Sequence, residues 1–494
     1  MHLWGVKCRY TQGMRKAEKA SPTESPLLFE MDPEPAPEML TALGGMPLVV
    51  QTFRSLGLPA SVKRHVHVKE RERGYDEATF VESFVVLNAA GGECLEDFAR
   101  LREDPGLAEL IGHVIPSPQA ARHFLYQFHD EDKIIAAKQQ LGLGKVAYIP
   151  GENEALQGLG QVNRDLMAAA GQRCPDQRMA TVDLDSTIIE SRKREALPTY
   201  AGERGYQPML AVWAEMDLVL ADQFRDGNVP AMMEPLPEAQ VAFAGLPATV
   251  KTLYFRGDSA CHEHELINWL REEGRSGGPS GYIGFAISAR MSEALRDAIL
   301  ALPEAAWEAE KKDAEDGEVR RAYAEVPFVP GERTEKKDLQ PLRYVAVRVQ
   351  KRQGELFGDG SAVKHFAVVS NIWEWSPVKL MEWHREKAGT IEKVNDVIKN
   401  DLGAGVLPCG RFGANAAWLR LAILAHNVLT GLKRLALPAE LLPARPKRLR
   451  FLIFNTPGRV IHHARRMLLR LAATQERIAE WIEAIGLLPV PLRV

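Results

Sequence analysis

Apolar and polar positions fall into three regimes along the chain. From residue 39 to 140, apolar residues recur at helical spacing, as in Phe80-Val81-Glu82-Ser83-Phe84-Val85-Val86-Leu87 and in Leu95–Leu101. Ser117 followed by Pro118 reads as a helix cap with proline at the first helical position. This predicts an all-α module over 39–140 of the sort that binds DNA, with a purely packing role as the alternative. Residues 1–38 are polar and proline-rich and predict a mobile leader. A second regime starts near 141 with a helix and a linker. Strand patterns follow at 180–189, 206–213 and 217–224, then a helix at 237–245 and the strand Thr252–Asp258. A helix (Glu263–Glu273) and a strand (Tyr282–Ser288) complete a mixed sheet covered by helices, an α/β fold. Residues 290–372 read as a β-rich insertion, with a charged helix at Glu308–Glu318 and strands at Arg343–Val349 and His365–Ser370. The third regime is helical: 373–435 returns to the core begun at 141–289, and 436–494 is a basic helical C-terminal region.

Length and charge refine this picture. A chain of 494 residues predicts two to four domains. The formal net charge of -3 does not mark a nucleic-acid binder, but binding depends on where charge sits. From Lys433 to Arg470 ten Lys and Arg residues accompany one acid, Glu440. The five cysteines are scattered without a Cys-x-x-Cys, which fits a reducing cytoplasm. No signal peptide is read, and the most apolar helix, Leu419–Leu437, carries Arg420, His426, Asn427, Lys433 and Arg434, so no membrane partner is expected.

The candidate chemistry lies where apolar strands end on acids. Ala180–Glu190 holds Asp183 and Asp185, which strand periodicity puts on one face. Asp185 is closer to the carboxyl end, and Ser186 and Thr187 follow it, so it is the preferred ligand, with Asp183 as a supporting or surface acid. Asp258 ends the second such strand after Gly257, with helix capping as the alternative reading. Cys261, His262 and His264 match no zinc spacing. A third acid is sought on the helix around Trp383–Leu402. There Glu392, Asn395 and Lys399 share an edge beside the apolar Ile391, Val394 and Ile398, and Glu386 is the rival. Three carboxylates suit two Mg²⁺ ions about 3.5–4 Å apart, which stabilise the attacking and leaving oxygens of a phosphodiester. Mn²⁺ is a substitute.

In these residues the chain resembles DDE transposases of bacterial insertion sequences, specifically the insertion-sequence 1380 family. The matching pieces are Val182-Asp183-Leu184-Asp185-Ser186-Thr187, Tyr254–Ser259, Gly389-Thr390-Ile391-Glu392 with Lys399, and Phe412–Ala417 with the helix after it. The resemblance spans roughly residues 75 to 470. It implies an RNase H-like core interrupted by a β-rich insertion, with Asp185, Asp258 and Glu392 as catalytic metal ligands. It also implies binding of terminal inverted repeats and transfer of a 3′-OH end into target double-stranded DNA by a homodimer in a synaptic complex, in a bacterial, nucleoid-associated setting. A nuclease without strand transfer and a repurposed DNA-binding protein are the alternatives. The family's Tyr-Arg-Glu-Lys signature is incomplete: Arg385 and Ala388 stand in the Tyr and Arg places. Its phosphate contacts then fall to Arg385 or Lys387, with Lys399, Asn395, Arg256, Arg448 and Arg450 as further DNA contacts.

Overall fold

The computed structural model describes residues 32–69, 74–139, 147–309, 319–330, 341–351, 356–358 and 360–489. A short strand β1 (Leu40–Thr41) leads into α1 (Met46–Ser55), α2 (Leu58–His65), α3 (Glu77–Ala90), α4 (Asp97–Arg102), α5 (Pro105–Ile111), α6 (Pro118–Tyr126) and α7 (Glu131–Gln139). Ser117 caps α6 with its hydroxyl on the Ala120 amide, as its sequence predicts. Of the expected leader, residues 1–31 lie outside the described residues.

The long helix α8 (Glu154–Arg173) precedes the sheet strands β2 (Met179–Ser186), β3 (Ile189–Glu190), β4 (Leu197–Pro198), β5 (Arg204–Tyr206), β6 (Met209–Trp213) and β7 (Leu218–Gln223). Next come α9 (Pro235–Ala244), β8 (Thr252–Gly257), α10 (His264–Arg271), β9 (Ile283–Ser288), α11 (Glu293–Leu300), β10 (Glu308–Ala309), β11 (Val319–Val326), β12 (Arg343–Lys351) and β13 (Val363–Ser370). Nine of these strands form one sheet in the order β10-β11-β12-β13-β9-β8-β2-β6-β7. β8 runs parallel to both β2 and β9, and the other pairs are antiparallel. β2 is central and buried on both faces, which is why Thr181 and Asp183 are as inaccessible as Val182 and Leu184.

The expected β-rich insertion is present, but it extends the sheet rather than standing apart, because Val368–Ser370 pairs with Ala286–Ser288. The charged helix expected at Glu308–Glu318 is corrected at its start: Glu308 and Ala309 pair with Tyr323 and Ala322. Residues 310–318 lie outside the described residues.

The expected helix over Trp383–Leu402 is two helices and a turn: α12 (Pro377–Arg385), α13 (Lys387–Asp396) joined at Glu386, and a π-helical turn at Val397–Asp401. α14 (Phe412–Leu435) is buried from Gly413 to Lys433 and packs on α1, α3, α6, α8 and β7. Most of its buried polar groups are matched, the Thr430 hydroxyl excepted. Arg420 binds Asp222 and Glu152, Asn427 accepts from the Val219 amide and donates to its carbonyl, and Lys433 reaches Asp217 at 3.2 Å. One hydrophobic core therefore runs from Met46 through the sheet to Leu488, and the N-terminal helices share it.

The C-terminal region, expected to be helical, is mixed. After α15 (Pro446–Leu449) and a π-helical turn at Arg450–Phe454, β14 (Gly458–His463) and β15 (Arg466–Leu471) form a hairpin that pairs with β1 before α16 (Gln475–Gly486). Pro457 stops the helix. Beyond it Val460, opposite Leu469, is buried between the exposed Arg459 and the half-buried Ile461, as the strand period of two requires.

Candidate active site at the ends of two parallel strands

The register of β2 on β8 builds the site. Asp183 lies opposite Arg256 and Leu184 opposite Gly257, so the next residues, Asp185 and Asp258, are neighbours at the carboxyl ends of parallel strands. Asp258 closes the turn at Ser259–Cys261 by accepting from the Ala260 amide at 2.9 Å. It does not cap α10, whose cap is Glu263. Gly257 is required for a reason other than ligand approach: a Cβ there would lie 2.7 Å from the Cys261 sulfur and 2.5 Å from its Cβ.

Asp183 and Asp185 point to the same face, towards α12 and α13, but do different things. Asp183 is wholly buried and gripped by the Arg256 guanidinium, Nε at 2.6 Å and Nη2 at 2.9 Å, and the Thr390 hydroxyl donates to it as well. Arg256 is itself buried; its Nη1 donates to the Trp383 carbonyl and lies 3.3 Å from Glu386. Every nitrogen of Arg256 is thus used inside the protein, so the expectation that it contacts DNA is replaced by a structural role.

Asp185 retains access to solvent and accepts from its neighbour's amide, Ser186, at 2.9 Å. The Lys387 ammonium sits 3.0 Å from Asp185 and is nearly buried. Burial raises the Asp185 carboxyl above the usual range. The Lys387 charge opposes this, and the nearby Asp258 charge adds to it. For Lys387, burial disfavours the ammonium, but Asp185 and then Asp258 outweigh it and hold the group above its usual value. The two directions agree, because one cation faces two anions: the cation is over-compensated and the acid under-compensated. His384 closes the floor, donating from Nε2 to the Gly257 carbonyl at 3.1 Å. Burial pulls its pKa down to about 4, so it is neutral at pH 7.

The donor set fits a hard divalent cation. Two carboxylates converge from adjacent strands, they repel each other, and a positive charge already lies against them. The third expected acid is not gathered in. Glu392 is exposed on α13, with no hydrogen bond or ion pair among the described residues, and Glu386 is held towards Arg256. Among the described residues no three acids, histidines or cysteines come together as a metal cluster. Lys399 does reach the site: its ammonium donates to the Thr187 hydroxyl at 2.8 Å, two residues after Asp185. Asn395, between Glu392 and Lys399, is buried with its Oδ1 unpartnered.

Beside Asp258 opens a cleft of about 750 Å³ between the core and the inserted strands. Arg290, Arg321 and Arg385 line it together with Phe366 and Met381. Arg385 was expected from sequence; Arg290 and Arg321 were not, because only the pairing of β13 with β9 brings the insertion to this edge. Of the expected contacts in the basic tail, Arg448 stands out beside the exposed Phe451, 5.7 Å from its ring centre. Arg450 does not: its guanidinium donates to the carbonyls of Asn88, Ala89 and Asp401, and this anchors the C-terminal region to α3. No described helix is long and apolar enough to cross a membrane.

A comparison with curated protein sequences found no match. Among solved structures, the chain is similar to that titled "Cryo-EM structure of piggyBac transposase synaptic complex with hairpin DNA", with a TM-score of 0.42 and 10% identity over 82% of this chain and 79% of that one. The family model for the transposase DDE domain, group 1, matches residues 36–488, nearly the whole chain and both strand ends that carry Asp185 and Asp258; the chain belongs to that family of DDE transposases.

Proposed function

We propose that this protein is a transposase of the insertion-sequence 1380 type. On this reading it binds the terminal inverted repeats of its own element, cleaves them to expose 3′-OH ends and joins those ends to target DNA as a homodimer in a synaptic complex. The observation that carries the reading is the placement of Asp185 and Asp258 side by side at the ends of β2 and β8. The strand order β9-β8-β2-β6-β7, with β6 alone antiparallel to β2 and β7, β8 and β9 running in the direction of β2, supports an RNase H-like core.

In this scheme Asp185 and Asp258 would hold the cations, and Glu392, exposed on α13, would be the third ligand. Two Mg²⁺ ions, when bound, would neutralise the phosphate and supply an ionised water. The remaining groups position DNA. Arg290, Arg321 and Arg385 flank Asp258 along the cleft and suit the phosphates on either side of the cut. Lys399 steadies the Thr187 end of β2. Asp183, Arg256 and Thr390 fix the helix that carries Lys387 and Glu392 against the sheet. The helices of residues 39–140 present the surface for end recognition.

The test uses the purified chain and duplex DNA bearing the inverted repeats that flank its reading frame. Mg²⁺-dependent cleavage should expose a 3′-OH, and Asp185→Asn and Asp258→Asn should each abolish it while leaving end binding intact. Cutting at the normal rate by either variant would overturn the site. Cutting without joining to a target plasmid would leave a nuclease.

A further inference from the structure

We propose that the β14–β15 hairpin is a DNA-contacting ribbon whose outward face grips the phosphates of a duplex. This rests on the transposase reading only in taking DNA as the ligand. The hairpin register sets Arg459 opposite Arg470, Ile461 opposite Leu468 and His463 opposite Arg466. By strand alternation these six side chains share one face. The other face carries Val460, His462, Met467 and Leu469; Val460 is buried, and His462 meets Glu109 of α5 at 3.2 Å. The hairpin is therefore rooted on the N-terminal helices and points its cationic face away from them.

Directly opposed like charges destabilise a strand pair, yet here two guanidinium groups oppose each other, and a third faces a histidine. No Asp or Glu occurs between residues 458 and 471. Among the described residues, the acid facing this surface is Glu38, 3.8 Å from Arg459. Arg465, Arg466 and Arg470 make no ion pair among the described residues.

The tip adds an independent observation. His463 pairs with Arg466, so the loop is two residues, Ala464 and Arg465, with φ of 49° and 64°. Such a turn favours Asn-Gly, because side chains are strained at positive φ. The chain instead places a fifth cationic or titratable side chain, Arg465, at the strained apex. Charge repulsion and backbone strain thus coincide on the exposed face and tip of one hairpin. A polyanion relieves the first and gives a use to the second. A two-stranded ribbon also matches the major groove, about 12 Å wide.

The experiment measures binding of full-length protein to labelled duplex by fluorescence anisotropy from 0.05 to 0.2 M salt, without divalent metal. Arg466→Gln/Arg470→Gln should make the log–log salt slope shallower by about 2 and weaken binding at 0.1 M salt by roughly 50-fold, at about 0.9 of slope per phosphate contact. Its Tm should stay level or rise, since a repulsive pair is removed. A second variant, Ala464→Asn/Arg465→Gly, should melt higher and bind DNA more weakly, a combination that a merely structural hairpin would not give. An unchanged slope in both variants overturns the proposal, and so does unchanged DNA binding with an altered sedimentation coefficient, which would assign the face to a second copy. Wild-type protein that binds no duplex would instead sink the transposase reading itself.

Discussion

The division of labour between Asp183 and Asp185 can be tested by their opposite costs. Asp183→Ala strips the buried Arg256 guanidinium of its bidentate partner and leaves it the Trp383 carbonyl and a 3.3 Å approach to Glu386. Breaking one side of a buried ion pair costs about 3–5 kcal/mol. Unfolding entropy scales with length, so a chain this long loses roughly 1–2 °C of Tm per kcal/mol, and the fall should be roughly 3–10 °C. Asp183→Ala/Arg256→Met removes both charges and should lose no more than the worse single variant, since an apolar replacement leaves no orphan. Asp185→Asn should melt within about 2 °C of the parent, because its carboxylate is under-compensated in the fold, yet it should not cut DNA. Scanning fluorimetry read beside a cleavage assay separates the outcomes. An Asp183→Ala protein that melts normally but is inactive, with Asp185→Asn active, would reverse the assignment.

Glu392→Gln should abolish cleavage and Glu386→Gln should reduce it less than tenfold; the opposite order would make Glu386 the third ligand. Lys387→Met should increase the Tm gain on adding Mg²⁺, because the ammonium no longer competes for Asp185 and Asp258; an equal gain in both proteins would refute that competition. Glu238 is buried beside Asp222, and burial lifts its pKa to about 8 against an unfolded value near 4.5. The native state thus holds a proton that the unfolded chain releases, and stability falls as pH rises from about 4.5 to about 8. Glu238→Gln should flatten the decline of Tm across that window, and parallel curves for the two proteins would contradict the assignment.

Much of the catalytic half was legible because its signals are local. β2, β6, β7, β8 and β9 announce themselves as apolar runs, and acids at strand ends stand out against them. The pairing of Asp185 with Lys387 was not legible, since it joins residues about two hundred positions apart that no periodicity relates. Charge alone also misassigned burial: Arg256 and Arg450 look like DNA contacts in sequence, yet carbonyls and a carboxylate absorb their donors inside the protein. The break at Glu386 escaped because apolar spacing runs on across it. The hairpin escaped because its basic residues resemble those of a solvated helix, while only two positions, Val460 and Leu469, mark its inward face.

The burial of α14 sets a schedule for synthesis. Its partners α1, α3 and α8 leave the ribosome some 240 to 370 residues before it does; they can pack on one another through α2, but the apolar faces they turn to α14 stay open until residue 435 is made. A nascent chain therefore carries open apolar surface through most of its synthesis, and a chain truncated before α14 should aggregate rather than yield a folded DNA-binding fragment.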